Sequence, residues 1–251
     1  MKVPLAARAR GAKNLDVEKF LPWIAELGYT GVEVGMGVFE DGPGPEEFRQ
    51  LADSAGLSVC TFMGQRAMLR DNLDEVARYC DILGCGYVVM AWGMAESEDE
   101  WRELAAEFNA TGAEYRERGL QYCYHNHDHE IATQFGGTCA LDILLEETDP
   151  ENFRLQLDLG WVSYGGQDPI EFLKEHEGLC PVVHLRDVGD HDERGEWAPI
   201  GEGVLEIPEM VTTAVECGAE WVILEQKALG DLTRNGGIEA CAEYMRSVGL
   251  L

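Results

Sequence analysis

Four short polar endings carry the chemistry legible in this chain. Tyr124-His125-Asn126-His127-Asp128-His129-Glu130, Asp158-Leu159-Gly160-Trp161, His184-Leu185-Arg186-Asp187 and Glu225-Gln226 each close a short apolar run. Between them they deliver His, Asp, His and Glu, a mixture of imidazole and carboxylate that suits a divalent ion such as Mn, Co, Fe or Zn. Side chains at the C-terminal ends of parallel barrel strands converge on one mouth. Four such endings on four strands could therefore supply one metal site, from His125, Asp158, His184 and Glu225.

The neighbours of these residues add further candidates. His125, His127 and His129 are spaced by two, so in an extended segment they share one face, with Glu130 beside them. Asp158 follows Leu155 and Leu157, and taken alone it could simply cap a turn. Arg186 lies two residues beyond His184, hence on the same face, where it could pair with a carboxylate or hold a substrate oxygen. Asp187 points the other way, towards a neighbour or the following loop. Glu225 follows Val222-Ile223-Leu224, an apolar run that a carboxylate would not end without a partner. Glu33 sits between Val32 and Val34. In a closed barrel, which has no edge strand, that placement favours an inward functional group. Trp92, Trp161 and Phe62 stand near strand ends, where they could wall a sugar ring or pack in the core. The polar stretch 190–197 reads as a lid over the mouth. The turn Gly201-Glu202-Gly203 is a weak phosphate signal, because its own carboxylate would repel an anion.

These groups need elements to position them. Eight strand-like runs recur at fairly even intervals: Val3–Ala7, Gly31–Gly35, Leu57–Met63, Tyr87–Trp92, Leu120–His127, Arg154–Trp161, Val182–Asp187 and Trp221–Gln226. Most are short and apolar, as parallel strands buried on both faces should be. Helical segments separate them. Asn14 or Asp16 could cap the first, whose Pro22 predicts a kink or a late start. Pro45 opens the second and Gly56 ends it. The third spans 73–83. Ser97 with Glu100 forms a capping box before the fourth. The fifth spans 138–147, and Asp168-Pro169 starts the sixth. The last two span 208–217 and 238–248. Alternation of this kind argues for right-handed parallel crossovers. The expected fold is an α/β (β/α)8 TIM barrel forming one domain over 1–251, preferred to an open doubly wound sheet.

Composition narrows the function classes. The chain has 251 residues and is 45% apolar, enough for a single large core. Its 47 acidic and 19 basic residues give a net charge of −28, which disfavours a nucleic-acid partner. Most of that charge lies along expected helix faces, and a halophilic source, with salt screening the repulsion, is one explanation. No secretory segment or membrane-spanning stretch is visible, so a soluble, cytoplasmic protein is expected. The eight cysteines form no C-x-x-C pair and read as free thiols packed as small hydrophobes.

Taken in order, Gly31-Val32-Glu33, Tyr124-His125-Asn126-His127 with Glu130, Asp158-Leu159-Gly160-Trp161, His184-Leu185-Arg186-Asp187, Ile200-Gly201-Glu202-Gly203-Val204 and Leu224-Glu225-Gln226 form a recognisable set. Over nearly its whole length the chain resembles the xylose isomerase-like TIM-barrel superfamily. Within it, the similarity is to the sugar phosphate isomerase/epimerase group related to inosose dehydratases and ketose 3-epimerases. The resemblance implies a metal held by Glu, Asp, His and Glu, with Asp158, His184 and Glu225 in three of those places. The first place departs: either His125 is the ligand or Glu130 reaches back to serve. Trp161 also replaces a His common three residues after the Asp. Both departures weaken a two-carboxylate epimerase mechanism and point towards dehydratase or lyase relatives.

The chemistry implied is an isomerase, epimerase or dehydratase acting on a sugar or cyclitol. A divalent metal, Mn or Co first and Zn, Mg or Fe next, polarises a carbonyl; a base removes the adjacent proton; an enediolate results. His127, Glu130, Glu33 and Glu225 are the proton-transfer candidates, and Arg186, Trp92 and Trp161 the substrate contacts. Two readings compete. A nuclease resembling the endonuclease IV branch would need more histidines and a basic groove. A non-catalytic sugar-binding barrel is the other. A homo-oligomer is compatible with all of them.

Overall fold

The structure is a computed structural model, and it describes residues 3–9, 16–40, 42–189, 196–225 and 234–251. Eight parallel strands close into a barrel: β1 (Leu5–Arg8), β2 (Gly31–Gly35), β3 (Ser58–Gly64), β4 (Tyr87–Met90), β5 (Gln121–His125), β6 (Phe153–Asp158), β7 (Val182–Leu185) and β8 (Trp221–Leu224). Each pairs with its sequence neighbours, and β8 returns to β1 through Ala7 opposite Leu224. The expected (β/α)8 barrel is therefore present. Among the described residues no helix is long and apolar enough to cross a membrane.

From β4 onward the strands end earlier than the sequence predicts, and the difference shapes the mouth. The fifth was expected to run to His127 and the sixth to Trp161. β5 stops at His125, and a single helical turn, His129–Ala132, follows. β6 stops at Asp158, which caps the helix Leu159–Tyr164 by accepting the Trp161 N–H at 3.0 Å. An N-cap carboxylate satisfies a helix-end donor that a longer strand would have used otherwise. Asp158 thus performs the capping role weighed for it, at the head of the site.

Elsewhere local chemistry matches expectation with small shifts. Asp16 caps Val17–Glu26, which buries Val17, Phe20, Leu21 and Ile24 and runs on through Pro22 without starting late. Pro22 removes one helical hydrogen bond, but the carbonyl left over belongs to Glu18 on the exposed side. Ser97 accepts the Glu100 N–H at 3.3 Å, while the Glu100 carboxylate reaches back to the Glu96 N–H at 2.7 Å, closing the capping box one residue early. The fifth expected helix begins only at Ala140, because Thr138–Cys139 pairs with Gln134–Phe135 across Gly136-Gly137. Both of those glycines have positive φ, as a tight hairpin turn requires. The expected cap at Asn14, the lid over 190–195 and Gln226 lie outside the described residues.

Inside the barrel the layers change character. Ala6, Cys60, Val182 and Ile223 form an apolar plug. Above it Glu33, Thr61, Gln156 and His184 form a polar layer, each 1% exposed or less. All eight cysteines are free, as expected, and only Cys217 is not fully buried. Burial pushes the thiols of Cys180 and Cys241 up to about 12, so they are inert at neutral pH.

Asp187 shows how the loop after β7 is held. Its Oδ1 accepts the N–H groups of Val188 at 2.9 Å and Leu205 at 3.2 Å, and its Oδ2 those of Gly201 at 2.8 Å and Gly203 at 3.0 Å. The Gly201-Glu202-Gly203 turn is thus an anion nest already filled by the protein's own carboxylate. Asp187→Ala should destabilise the fold by about 3 kcal/mol, since four donors to one buried charge would lose their acceptor. Urea unfolding of the variant checks this, and a loss under 1 kcal/mol would refute it.

Candidate active site

The register of the strands brings the site together. Asp158 stands opposite His184 between β6 and β7, and His125 opposite Gln156 between β5 and β6. One ligand-type atom from each of His125, Asp158, His184 and Glu225 lies within 4.8 Å of the others, and all four residues are buried. The four sequence candidates thus meet at the C-terminal mouth. Glu130 does not join them. Its carboxylate accepts the Tyr124 hydroxyl and, at 2.7 Å, the His127 N–H. It is fully buried and knits its own loop, and the four-residue cluster forms without it.

Glu33, a proton-transfer candidate from the sequence, lies in the buried polar layer. One oxygen accepts from Thr61 Oγ1 at 2.7 Å and Gln156 Nε2 at 2.7 Å, and lies 3.2 Å from His184 Nε2. The other is 3.0 Å from Arg8 Nε. A carboxylate so surrounded holds its neighbours in place. His184 is the pivot: Nε2 faces Glu33, while Nδ1 faces Glu225 Oε2 at 3.0 Å. Burial opposes a charged ring, but the two carboxylates overcome it and push His184 up to about 9.

Two arginines complete the network. Arg186 Nε lies 2.7 Å from Asp158 Oδ2 and its Nη2 2.7 Å from Glu225 Oε2. Its guanidinium also sits 4.5 Å from the Trp197 ring centroid. Arg8 Nη1 approaches Glu225 Oε1 at 2.6 Å. Burial alone would raise the Glu225 carboxyl, but Arg8, Arg186 and His184 hold it well below the usual range. For Asp158 burial prevails, and its carboxyl is raised despite Arg186. Asn126 fixes the Asp158 backbone, accepting its N–H at 2.8 Å.

Beside the cluster lies a cavity of about 470 Å3 lined by His125, His127, Trp92, Trp161, Arg186 and Glu225, with Arg8 at its rim. Trp92 and Trp161 flank His127 with ring centroids 4.6 and 5.5 Å from it. Burial, then the neighbouring His129, lower His127 to about 4, so its ring is neutral at physiological pH. His129 itself turns to the Gly93 carbonyl at 2.9 Å, so the three histidines do not share one strand face. The expected substrate contacts Trp92, Trp161 and Arg186 do line the cavity, though two Arg186 donors are engaged with carboxylates.

The donor set fits a resident divalent ion. Two imidazoles and two carboxylates converge, and the buried His125 Nδ1 has no hydrogen-bond partner among the described residues. Sequence reasoning missed Arg8, Thr61 and Gln156. Gln156 was within reach of the period-two rule, being two residues before Asp158 on the same strand.

A closed (β/α)8 barrel with a metal-competent His/Asp/His/Glu cluster at its C-terminal mouth defines the class. The xylose isomerase-like TIM barrel profile matches residues 21–248, and the chain belongs to that family. It is similar to the inosose dehydratase of Geobacillus kaustophilus, with 26% identity over 83% of this chain and 79% of that protein. The inosose dehydratase of Lacticaseibacillus casei is 26% identical over 85% and 83% of the two chains. Among solved structures, a sugar phosphate isomerase/epimerase from Parabacteroides distasonis superposes with a TM-score of 0.82 at 20% identity, covering 97% of this chain and 98% of that one. That last likeness speaks to the fold alone.

Proposed function

We propose that this chain is a divalent-metal-dependent dehydratase of a keto-sugar or keto-cyclitol. The observation that carries the reading is the buried convergence of His125, Asp158, His184 and Glu225, which would hold the ion. When bound, the ion would polarise a substrate carbonyl and acidify the adjacent C–H. Glu33, on His184 Nε2, fixes the tautomer that leaves Nδ1 facing the cluster. Trp92 and Trp161 offer faces for the C–H side of a sugar ring.

His127 is the proton-transfer group. Its neutral ring lines the cavity, whereas Glu33 and Glu225 are held by guanidinium and imidazole partners on both oxygens. His127 takes the proton from the carbon beside the carbonyl. The electron pair forms the C=C bond, the β-hydroxyl leaves, and the same imidazolium returns its proton to that oxygen as water. Epimerisation needs a second base on the opposite ring face, and both carboxylates are neutralised by charged neighbours, Glu33 by Arg8 and His184 and Glu225 by Arg8, Arg186 and His184. That asymmetry, together with the inosose dehydratase relatives, favours elimination over isomerisation or epimerisation.

The test is to incubate scyllo-inosose and related keto-sugars in D2O with added Mn or Co. An ultraviolet-absorbing unsaturated ketone should form; deuterium in an epimerised product without it would instead identify an epimerase. Chelation should abolish turnover and readdition of metal restore it. Undiminished rates in protein verified metal-free by elemental analysis would refute metal dependence.

A further inference from the structure

The mouth has a second half that this chemistry does not use. Arg8, Met63, Gln65 and Ala91 line the catalytic cavity and also a neighbouring one of about 350 Å3. That neighbour spans the C-terminal ends of β1 to β4, so the two form a continuous trough across the barrel. Its side-chain walls are mainly Val34, Met36, Met63 and Met68, with Gln65 the uncharged polar side chain among its described lining residues. Among its described lining residues the one charged group is Arg8, whose guanidinium faces Glu33 at 3.0 Å, Glu225 at 2.6 Å and the Met63 sulfur at 2.7 Å.

Such a lining selects by chemistry. A phosphate placed there would meet a guanidinium already matched by two carboxylates, and thioethers, which donate nothing. A ring bearing several hydroxyls would lose more water than the one amide side chain, Gln65, could replace. An apolar group loses little, and thioether sulfurs make favourable contacts with aromatic rings. Space suffices, since an apolar cavity of roughly 150 Å3 accepts benzene.

We infer that the ligand is a keto-sugar or cyclitol ring bearing an apolar aryl or alkyl substituent, with the ring beside His127 and the substituent among Met36, Met63 and Met68. This rests on the keto-polyol reading of the site and adds the chemistry of the attached group.

Calorimetric titration of methyl, hexyl and phenyl 3-keto-glucosides, with and without added Mn, tests it. The phenyl or hexyl compound should bind about 10- to 100-fold more tightly than the methyl one. The phenyl-to-hexyl comparison tells aryl from alkyl preference. Met68→Gln and, separately, Met36→Gln should cut the phenyl-to-methyl affinity ratio several-fold. Equal affinities, no binding of any of the three, or tighter binding of 3-keto-glucose 6-phosphate than of the phenyl compound would overturn the assignment. The two readings separate cleanly. An apolar preference without proton exchange at the ring removes the dehydratase chemistry and leaves this assignment standing; proton exchange with equal affinities does the reverse.

Discussion

Glu225→Gln should lower turnover by at least about 10³-fold and bring bound metal below one equivalent. Stabilisation of developing charge by a resident ion contributes several kcal/mol, at about 1.4 kcal/mol per decade of rate. The substitution keeps the shape and one acceptor oxygen but removes the charge on which three cations converge: Arg8 at 2.6 Å, Arg186 at 2.7 Å and His184 at 3.0 Å. Those partners become uncompensated in a buried site, so the fold should weaken as well. Metal analysis, initial rates and thermal unfolding on one preparation separate the two effects. A protein that stays folded, binds metal fully and turns over at the parent rate would remove Glu225 from the site.

The same network explains what could and could not be read from the sequence. Strand ends were legible because a polar residue closing a β-branched run has few bland explanations, and the barrel mouth gathers such residues whatever their distance along the chain. That logic finds Asp158, His184 and Glu225 directly. It fails at His129, because four residues past the strand end the chain has already turned. Asp128 and Glu130 open a helical turn there, and period two no longer says where a side chain points. Arg8 was missed for a related reason. The first strand was expected to end at Ala7, and it continues one residue further to pair Arg8 with Glu33.

Charge reasoning also worked at one scale and not at another. The net −28 was read as a solvated outer face, and acidic helix residues are indeed exposed, as at Asp99, Glu100 and Glu103. It gives no hint that Arg8 and Arg186 lie in the mouth between Glu33, Asp158 and Glu225. Those two arginines offset carboxylates that would otherwise repel one another in a medium of low dielectric constant. They also restrict which oxygens face the cavity. With His125 given to the ion, the other cavity-lining imidazole whose Nδ1 has no hydrogen-bond partner among the described residues is His127, which is why the proposal puts the base there.

His127→Gln should therefore reduce kcat by about 10²- to 10⁴-fold, the range for loss of a positioned general base, while metal content stays at one equivalent. Glutamine is close in size and keeps a polar tip between Trp92 and Trp161, but it cannot carry a proton at neutral pH. KM should move far less than kcat, because the ring would be held by the same indole walls and the same ligands. Loss of solvent deuterium exchange at the substrate carbon should accompany the rate loss, since proton removal and product formation share the group. His129→Gln is the control: its ring bonds the Gly93 carbonyl at 2.9 Å, so its replacement should affect stability before turnover. If His127→Gln lost metal in step with activity, His127 would be acting as a ligand. If it kept both metal and rate, the base would have to be sought elsewhere in the mouth.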